Sequence, residues 1–517
     1  MDCSSGAVLA QAQWEATDKP AVLRALHLAA LNLRTKLGEP PTSLQKYVAL
    51  SEQVEMPSLE AEEELILAGK ARYEKGETAA LPHYLRAAQL DPGYAKTYQD
   101  LSLTYRNLKE DGLAEENSRK AYALRDKVSE QQRLTIEANY YDNVTGELEK
   151  VAQAYQLLQQ NYPGEAAYRG NLGVIFATLG NHEKALEQAQ AAMRMAPNYG
   201  TVYSNVAVSD QNLNRFDEAE VAYKQAEEHG LSGEQLLQNR YLLAFSKGDT
   251  AQMAQMAEAA MGKPGAEDLL LASEADTEAW YGRFENARDF TRRAMDSAQR
   301  NDAKETAAMY QALSAAREVE AGNREQARAE AKAALKLAPT RNMRIGAALI
   351  LARAGDASAA EQLAAGLDRE LPLATVIQKY WLPTIRAAVA LDRKDPNKAV
   401  ELLQVAIPMD LSTAAQLPMY LCPAYVRGDA YLRLHDGKAA AAEFQKYVDH
   451  GGLLANFPWG ALARLGLARA YALEAASDRG AHDKARKAYQ DFLTLWKDAD
   501  PDVPILKQAK SEYARLQ

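Results

Sequence analysis

Three asparagines recur at a fixed interval in the middle of this 517-residue chain. Asn171, Asn205 and Asn239 are 34 residues apart, and the first two stand two positions before Gly173 and Ala207. An asparagine side chain donates and accepts hydrogen bonds, which is also what a peptide backbone does. A stack of such side chains therefore predicts hydrogen bonding to the backbone of an extended peptide.

Acidic residues take the equivalent position earlier in the chain, where Asp100 and Glu137 stand. They predict an acidic character for that part of the same surface. A second interpretation is that asparagine is simply a common residue at this place and bonds only within the protein. Both interpretations remain open on the sequence.

Residues suited to catalysis or metal binding do not form a recognisable motif. The seven histidines are scattered, and no pair has the spacing of a metal site. Cys422 has neither a cysteine nor a histidine beside it, which favours a buried thiol over a nucleophile. The stretch from Asp392 to Asn397 looks like a kinase catalytic loop, but no DFG metal site follows it, so we expect a solvated turn. We therefore predict no enzymatic activity, no catalytic residue, no cofactor and no metal.

The elements that carry the asparagines follow a repeating helical pattern. The segment Ala166–Pro197 contains two amphipathic helices joined at Gly180-Asn181. Small residues then recur with a period of 34, at Gly173 and Ala207, Ala185 and Ala219, and Ala192 and Ala226. Two helices approach closely only where one presents a small side chain. A period of 34 with small residues at fixed places is typical of helix–turn–helix arrays.

These residues resemble the tetratricopeptide-repeat (TPR) superfamily. The resemblance implies an all-α, right-handed superhelical solenoid of about a dozen helix pairs. We expect a short non-repeat segment over residues 1–55, the array over residues 56–497, and a capping helix within residues 498–517.

A narrower resemblance concerns the first third of the chain. The stretches KPAVLRALHLAALNLRTKLGEPPTSLQKY, LPHYLRAAQLDPGYAKTYQDLSLTYRNL and SEQQRLTIEANYYDNVTGELEKV look like the TPR-bearing C-terminal half of serine/threonine protein kinases of soil bacteria such as acidobacteria. In that family a kinase domain, a membrane span and a small α/β segment precede the array. The resemblance implies that residues 1–55 hold a remnant of the α/β segment, near Cys3 and Gly6, followed by a helix.

In TPR arrays the asparagine position lines the concave groove. The resemblance therefore assigns a peptide-binding groove to Asp100, Glu137, Asn171, Asn205 and Asn239. Chaperone-binding members of the superfamily place lysine and arginine beside the asparagines. Here Ala167, Thr201 and Gln235 take one such place, which disfavours an acidic C-terminal tail as the ligand of this groove.

The composition of the chain indicates which classes of partner and which cell compartment to expect. The net charge of −10 disfavours nucleic acid as the main partner. No apolar run reaches the roughly 18 residues that span a bilayer, and the first residues lack the pattern of a signal peptide. We expect a cytoplasmic protein that does not insert into membranes, or an extracytoplasmic one if it is the C-terminal half of a membrane kinase. The sequence leaves the oligomeric state open.

The function that we predict is a non-catalytic scaffold that binds peptide or protein segments in the groove, in bacterial signalling. One alternative is the detached sensor or regulatory half of a receptor-like serine/threonine kinase. The other alternative is an assembly factor for an envelope or secretion complex.

Overall fold

The computed structural model describes residues 8–18, 21–41, 44, 58–413, 419–475 and 479–516. All the regular secondary structure within these ranges is helical. Residues 8–16 form neither helix nor strand, and the helix predicted after them is α1 (Val22–Lys36). Cys3 and Gly6, which carry the predicted α/β remnant, lie outside the described residues.

Eleven helix pairs follow α1 in the described residues. The first five pairs are α2 (Leu59–Lys75) with α3 (Glu77–Leu90), α4 (Ala95–Asn107) with α5 (Asp111–Ala123), α8 (Ala166–Thr178) with α9 (His182–Met195), α10 (Gly200–Asn212) with α11 (Phe216–Glu228), and α12 (Glu234–Lys247) with α13 (Thr250–Ala260). The helices α6 (Glu130–Tyr140) and α7 (Leu148–Asn161) come between the second and the third of these pairs in the sequence.

The last six pairs are α14 (Ala266–Trp280) with α15 (Phe284–Arg300), α16 (Lys304–Ala321) with α17 (Arg324–Leu337), α18 (Arg341–Arg353) with α19 (Ala357–Glu370), α20 (Leu382–Asp392) with α21 (Pro396–Leu403), α22 (Cys422–Arg433) with α23 (Gly437–Asp449), and α25 (Trp459–Glu474) with α26 (Arg479–Leu495). The short helix α24 (Gly451–Leu454) precedes the last pair, and α27 (Pro504–Ala514) follows it. The prediction of an all-helical array of about a dozen pairs is confirmed.

Short turns separate the two helices of a pair. Gly180 has a φ of 82°, a conformation that glycine adopts without steric cost, and it ends α8. The side chain of the next residue, Asn181, accepts a hydrogen bond from the backbone N–H of Lys184 at 3.2 Å and starts α9. Asp249 and Asp356 cap α13 and α19 in the same way.

Small residues hold the helices of a pair close together. A Cβ atom added at Gly173 would lie 3.1 Å from the carbonyl oxygen of Ala185 on the partner helix. In the C-terminal pairs the ring of Phe444 lies between Gly428 and Gly466, where added Cβ atoms would come within 2.7 and 2.8 Å of it. The predicted close approach of two helices at a small residue is therefore seen in the packing.

The described residues divide into two compact units. The first contains residues up to Asn107 together with Leu113–Val144, and the second contains Leu108–Gly112 together with Thr145–Gln517. In the first unit, the buried amide of Asn143 donates to the hydroxyls of Ser102 and Ser118 at 3.0 Å each. This polar cluster joins α4 and α5 to the π-helical segment that follows α6.

The second unit also contains contacts between residues far apart in sequence. The backbone N–H of Thr375 donates to the carbonyl of Gly146 at 2.9 Å. His182 bonds through Nε2 to the carbonyl of Leu411 at 2.8 Å, across 229 residues. Burial lowers the pKa of His182, so a neutral ring donates this bond.

Two further turns between paired helices of the second unit also bond to residues far away in the sequence. Asn214 donates from its amide nitrogen to the carbonyl of Asp449 at 2.7 Å and accepts from the backbone N–H of Gly452 at 2.7 Å. The indole N–H of Trp496 donates to the carbonyl of Trp280 at 2.9 Å. Turns of the earlier pairs of this unit therefore pack on later pairs as well as on their neighbours.

Two glycines test this long-range packing. Gly248 and Gly282 both lie in turns between paired helices, with φ of 72° and 77°. A Cβ at Gly248 meets nothing within 4 Å, whereas one at Gly282 would lie 2.6 Å from Ala499 and 2.8 Å from Trp496. Both Gly→Ala variants carry backbone strain of about 1–3 kcal/mol. We expect G282A to unfold at a lower temperature than G248A, because overpacking adds about 1–3 kcal/mol. Equal midpoints in thermal unfolding followed by circular dichroism would contradict the packing.

Candidate functional site

The asparagines at 171 and 205 lie on neighbouring first helices of the second unit. Asn171 is in α8 and is exposed, and Asn205 is in α10 and is half-buried. A Cβ added at Gly170 would lie 3.3 Å from the amide nitrogen of Asn205, so the two helices meet at this position. The structure thus brings Asn171 and Asn205 onto adjoining surfaces.

Hydrogen bonding differs among the three asparagines. Asn171 donates to the hydroxyl of Tyr155 at 3.2 Å, and the side-chain oxygen of Asn239 in α12 accepts from Gln235 at 3.0 Å. The side-chain amide of Asn205 has no hydrogen-bonding partner among the described residues. Bonding within the array therefore occupies part of the amides of Asn171 and Asn239 and leaves that of Asn205 available.

An apolar row, which the sequence analysis did not identify, accompanies the asparagines. Val174 and Val208 stand one helical turn after Asn171 and Asn205, and they are 50% and 36% exposed. The equivalent residue in α12 is Leu242, which is half-buried. The 34-residue spacing of Val174 and Val208 was visible in the sequence, but only the structure shows that both side chains face solvent.

The two acidic candidates lie in the first unit and already have basic neighbours. Asp100 in α4 forms an ion pair with Lys96, one turn earlier. Glu137 in α6 lies 4.0 Å from the guanidinium of Arg125. Asp100 and Glu137 are both half-buried. Basic side chains therefore offset part of the acidic character that the sequence predicted here.

The first helices of the later pairs are much more buried, and their charged side chains pair with one another. Arg317 in α16 and Asp276 in α14 are both buried and their atoms approach to 2.5 Å. Arg353 in α18 pairs with Glu320 and lies 3.1 Å from Asp429. Breaking such a pair would leave an uncompensated buried charge, so these pairs hold the helices in one arrangement.

A cavity of about 620 Å³ opens among these helices of the second unit. Its walls come from α16, α18, α20, α22 and α25, with α27 along one side. Its charged residues lie up to 149 positions apart, between Glu320 and Arg469, and at irregular spacings. The sequence analysis missed this cavity because it contains no local motif.

The predictions for Cys422 and for the loop after α20 are confirmed. Cys422 is buried, and burial raises the pKa of its thiol well above the usual value, so the thiol stays protonated. Asp392 ends α20, and Asp395 caps α21 by accepting from the backbone N–H of Lys398 at 3.0 Å. The stretch that looked like a kinase catalytic loop is a turn between paired helices.

Metal sites and membrane-spanning helices are both absent from the described part of the chain. No group of three histidine, cysteine, aspartate or glutamate side chains there is arranged to hold a metal ion. No helix in the same ranges is both long enough and apolar enough to cross a bilayer.

Asp268 in α14 is a buried carboxylate with an incomplete set of partners. Its Oδ2 accepts from the hydroxyl of Tyr310 at 2.8 Å, and no hydrogen bond reaches Oδ1 in the described residues. Burial raises its pKa to about 6, with smaller contributions from Glu267 and Glu234, whose charges have the same sign. The folded protein therefore binds this proton more tightly than the unfolded chain does.

One segment of the chain matches a known protein family. The Tetratricopeptide repeat family model matches residues 166–199, which hold α8 and α9. No curated protein matches the chain.

Similar solved structures include yeast Tom70, with 13% identity, 75% of this chain and 95% of that chain covered, and a TM-score of 0.31. They also include Pseudomonas aeruginosa PilF, with 18% identity and a TM-score of 0.25, where the match covers 40% of this chain and 95% of PilF. PilW, a type IV pilus biogenesis factor, has 16% identity and a TM-score of 0.27, and the match covers 41% of this chain and 96% of PilW.

The raised pKa of Asp268 predicts a pH-dependent effect of D268N. The pKa lies near 6 in the folded protein and near 3.8 in the unfolded chain, so Asp268 loses stabilisation as pH rises from about 4 to 6. This lowers the free energy of unfolding by about 3 kcal/mol at pH 6, and the free energy stays lower by this amount above pH 6. We therefore expect the unfolding temperature of D268N, relative to the unsubstituted protein, to rise between pH 4 and pH 7.5. D296N, at an exposed aspartate, is the control. A difference that stays constant with pH would contradict the assignment.

Proposed function

Because residues 166–199 contain a tetratricopeptide repeat within an array of helix pairs, we propose that the chain is a non-catalytic protein–protein interaction scaffold. The proposed binding surface consists of Asn171, Asn205 and Asn239 with Val174 and Val208, and we name it the asparagine ladder. It holds an extended peptide or protein segment. The observation that carries the proposal is the pairing of available amides with exposed valines on adjoining helices.

The chemistry of the asparagine ladder suits a peptide backbone. The free amide of Asn205 can donate to a peptide carbonyl and accept from a peptide N–H. The exposed valines at 174 and 208 offer apolar contact to side chains of the same segment. Peptides in helical grooves are held by a few anchors among many modest contacts, so a small number of these residues would dominate the affinity.

Asp100 and Glu137 are separate candidates, which lie in the first unit. Each is half-buried and already has a cation near it. A basic side chain of a bound segment can share these carboxylates, since a carboxylate has two oxygens and accepts several hydrogen bonds. We propose them as contacts for basic residues.

The setting that we propose is bacterial signalling. Its support is the resemblance of residues 19–47, 81–108 and 129–151 to the C-terminal half of bacterial serine/threonine kinases. In that setting the array would present a partner to a kinase, and the phosphoryl transfer would be carried out by the kinase.

The experiment compares two matched asparagine variants. Peptides selected on the full chain from a random library are measured by calorimetry on the unsubstituted protein, on N171A/N205A and on N198A. Asn198 is an exposed asparagine in the loop between α9 and α10. We expect N171A/N205A to weaken binding about tenfold, because each lost hydrogen bond contributes about 0.5–1.5 kcal/mol.

The control variant N198A should bind with unchanged affinity. Circular dichroism should show the same helix content in N171A/N205A, and its unfolding temperature should fall only by the small amount expected from loss of the Asn171–Tyr155 hydrogen bond. A folded variant then reports on the surface itself. Selected peptides that bind N171A/N205A and the unsubstituted protein equally would refute the assignment of the asparagine ladder.

A further inference from the structure

The cavity of the second unit is bounded on several sides. Its walls are the first helices of five consecutive pairs, from α16 to α25. Pro504, Ile505 and Gln508 of α27 complete the lining. Its volume of about 620 Å³ lies within the range of sites that hold small organic ligands.

Helix α27 is held at the side of this cavity by specific contacts. Glu512 accepts from the guanidinium of Arg469 at 2.9 and 3.1 Å and from the hydroxyl of Tyr489 at 3.0 Å. At the other end of α27, Pro504 packs so closely on Gly322 that an added Cβ would lie 2.9 Å from it. Because α27 bounds this space, it suits a compact ligand better than an extended peptide.

The lining carries more positive than negative charge, although the whole chain has a net charge of −10. The basic lining residues are Arg324, Arg353, Lys394, Arg433 and Arg469. The acidic ones are Glu320, Asp392 and Asp429. Among the described residues of the lining, five basic side chains therefore outnumber three acidic ones.

The basic side chains at the mouth are available to a ligand. Arg324, Lys394 and Arg433 are exposed, and none of them forms an ion pair with a carboxylate of the described residues. Arg433 donates one bond, from Nη1 to the carbonyl of Leu391 at 2.5 Å, and keeps its other N–H groups. The nearby Asp392 offsets one of these three charges.

The acidic side chains deeper in the cavity are already neutralised. Arg353 donates to both carboxylate oxygens of Glu320, with the Nη2–Oε2 distance 2.7 Å, and to Asp429 at 3.1 Å. Its guanidinium also lies over the ring of Tyr425, 5.2 Å from the centroid. An anion in the cavity therefore meets paired carboxylates, which repel it less than free ones would.

Tyr425 supplies a hydrogen-bond donor in the lining. It is 7% exposed, its ring stacks on Trp459 at 4.8 Å, and its hydroxyl has no hydrogen-bonding partner among the described residues. Burial, together with Glu320 and Asp429, raises the pKa of Tyr425 well above its usual value. The hydroxyl stays protonated, so it offers a hydrogen to an acceptor in the cavity.

We propose that this cavity binds a small organic anion that carries carboxylate or phosphate groups. The hydroxyl of Tyr425 donates to the anion inside the cavity, and Arg324, Lys394 and Arg433 bind its charge at the mouth. The site is separate from the asparagine ladder, so this inference stands or falls independently of the proposed scaffold function.

The test titrates the full chain with citrate, inorganic phosphate and AMP at low ionic strength. Citrate reports carboxylate recognition, phosphate reports the bare phosphoryl group, and AMP reports a phosphate attached to an organic body. Calorimetry and the intrinsic tryptophan fluorescence, to which Trp459 beside Tyr425 contributes, report binding. We expect at least one probe to bind, and K394Q/R433Q to weaken it about tenfold or more, since each charge-assisted hydrogen bond contributes about 1.5–3 kcal/mol.

The matched control is R194Q/K263Q, which removes two exposed charges elsewhere in the second unit. It changes the net charge equally, so unchanged affinity in this variant separates the cavity from the overall field of the protein. Y425F should weaken the same probe while leaving the unfolding temperature unchanged, because the hydroxyl has no internal partner. A purely structural role of Tyr425 would lower the unfolding temperature instead.

Three results would overturn the proposal. They are the absence of binding by all three probes, equal affinities in K394Q/R433Q and R194Q/K263Q, and binding of a hexaglutamate peptide where the small anions fail. The last result would assign the cavity to an acidic peptide. N171A/N205A should leave anion binding unaltered, which keeps this test distinct from that of the asparagine ladder.

Discussion

Close contact between helices at small residues is the constraint on which the rest of this structure depends. At Gly173 the backbone of the partner helix comes so near that a methyl group would crowd the carbonyl of Ala185. Phe444 fills the matching space between Gly428 and Gly466 in the C-terminal pairs. These small residues therefore set the short distance between the helices that meet there.

The second unit adds contacts that a simple nearest-neighbour array lacks. Turns of its earlier pairs bond to backbone groups of later pairs, as Asn214 does with Asp449 and Gly452. The first helices of the later pairs become buried, and their charged side chains must then pair, as Arg317 does with Asp276. Burial of this kind explains why the C-terminal pairs contain a charged cavity whereas α8 and α10 present exposed valines.

The two candidate surfaces therefore differ in chemistry for a structural reason. On the asparagine ladder, neutral amides and the exposed Val174 and Val208 suit the backbone and apolar side chains of an extended segment. In the cavity, protonated Tyr425 and unpaired cations such as Arg433 suit a compact anion. The ladder follows from the repeat itself, while the cavity follows from where the repeat brings distant helices together.

The amino-acid sequence by itself determined the helix pairs, their turns and the positions of the ladder residues. These features are local: a 34-residue period, a glycine that permits positive φ at Gly180, and a capping side chain at Asn181 each act within a few residues. Only the tertiary structure decided which side chains meet across the second unit, as Arg353 and Asp429 do. Small rotations between successive pairs add up over many repeats, so partners far apart in the chain meet without any local pattern that marks them.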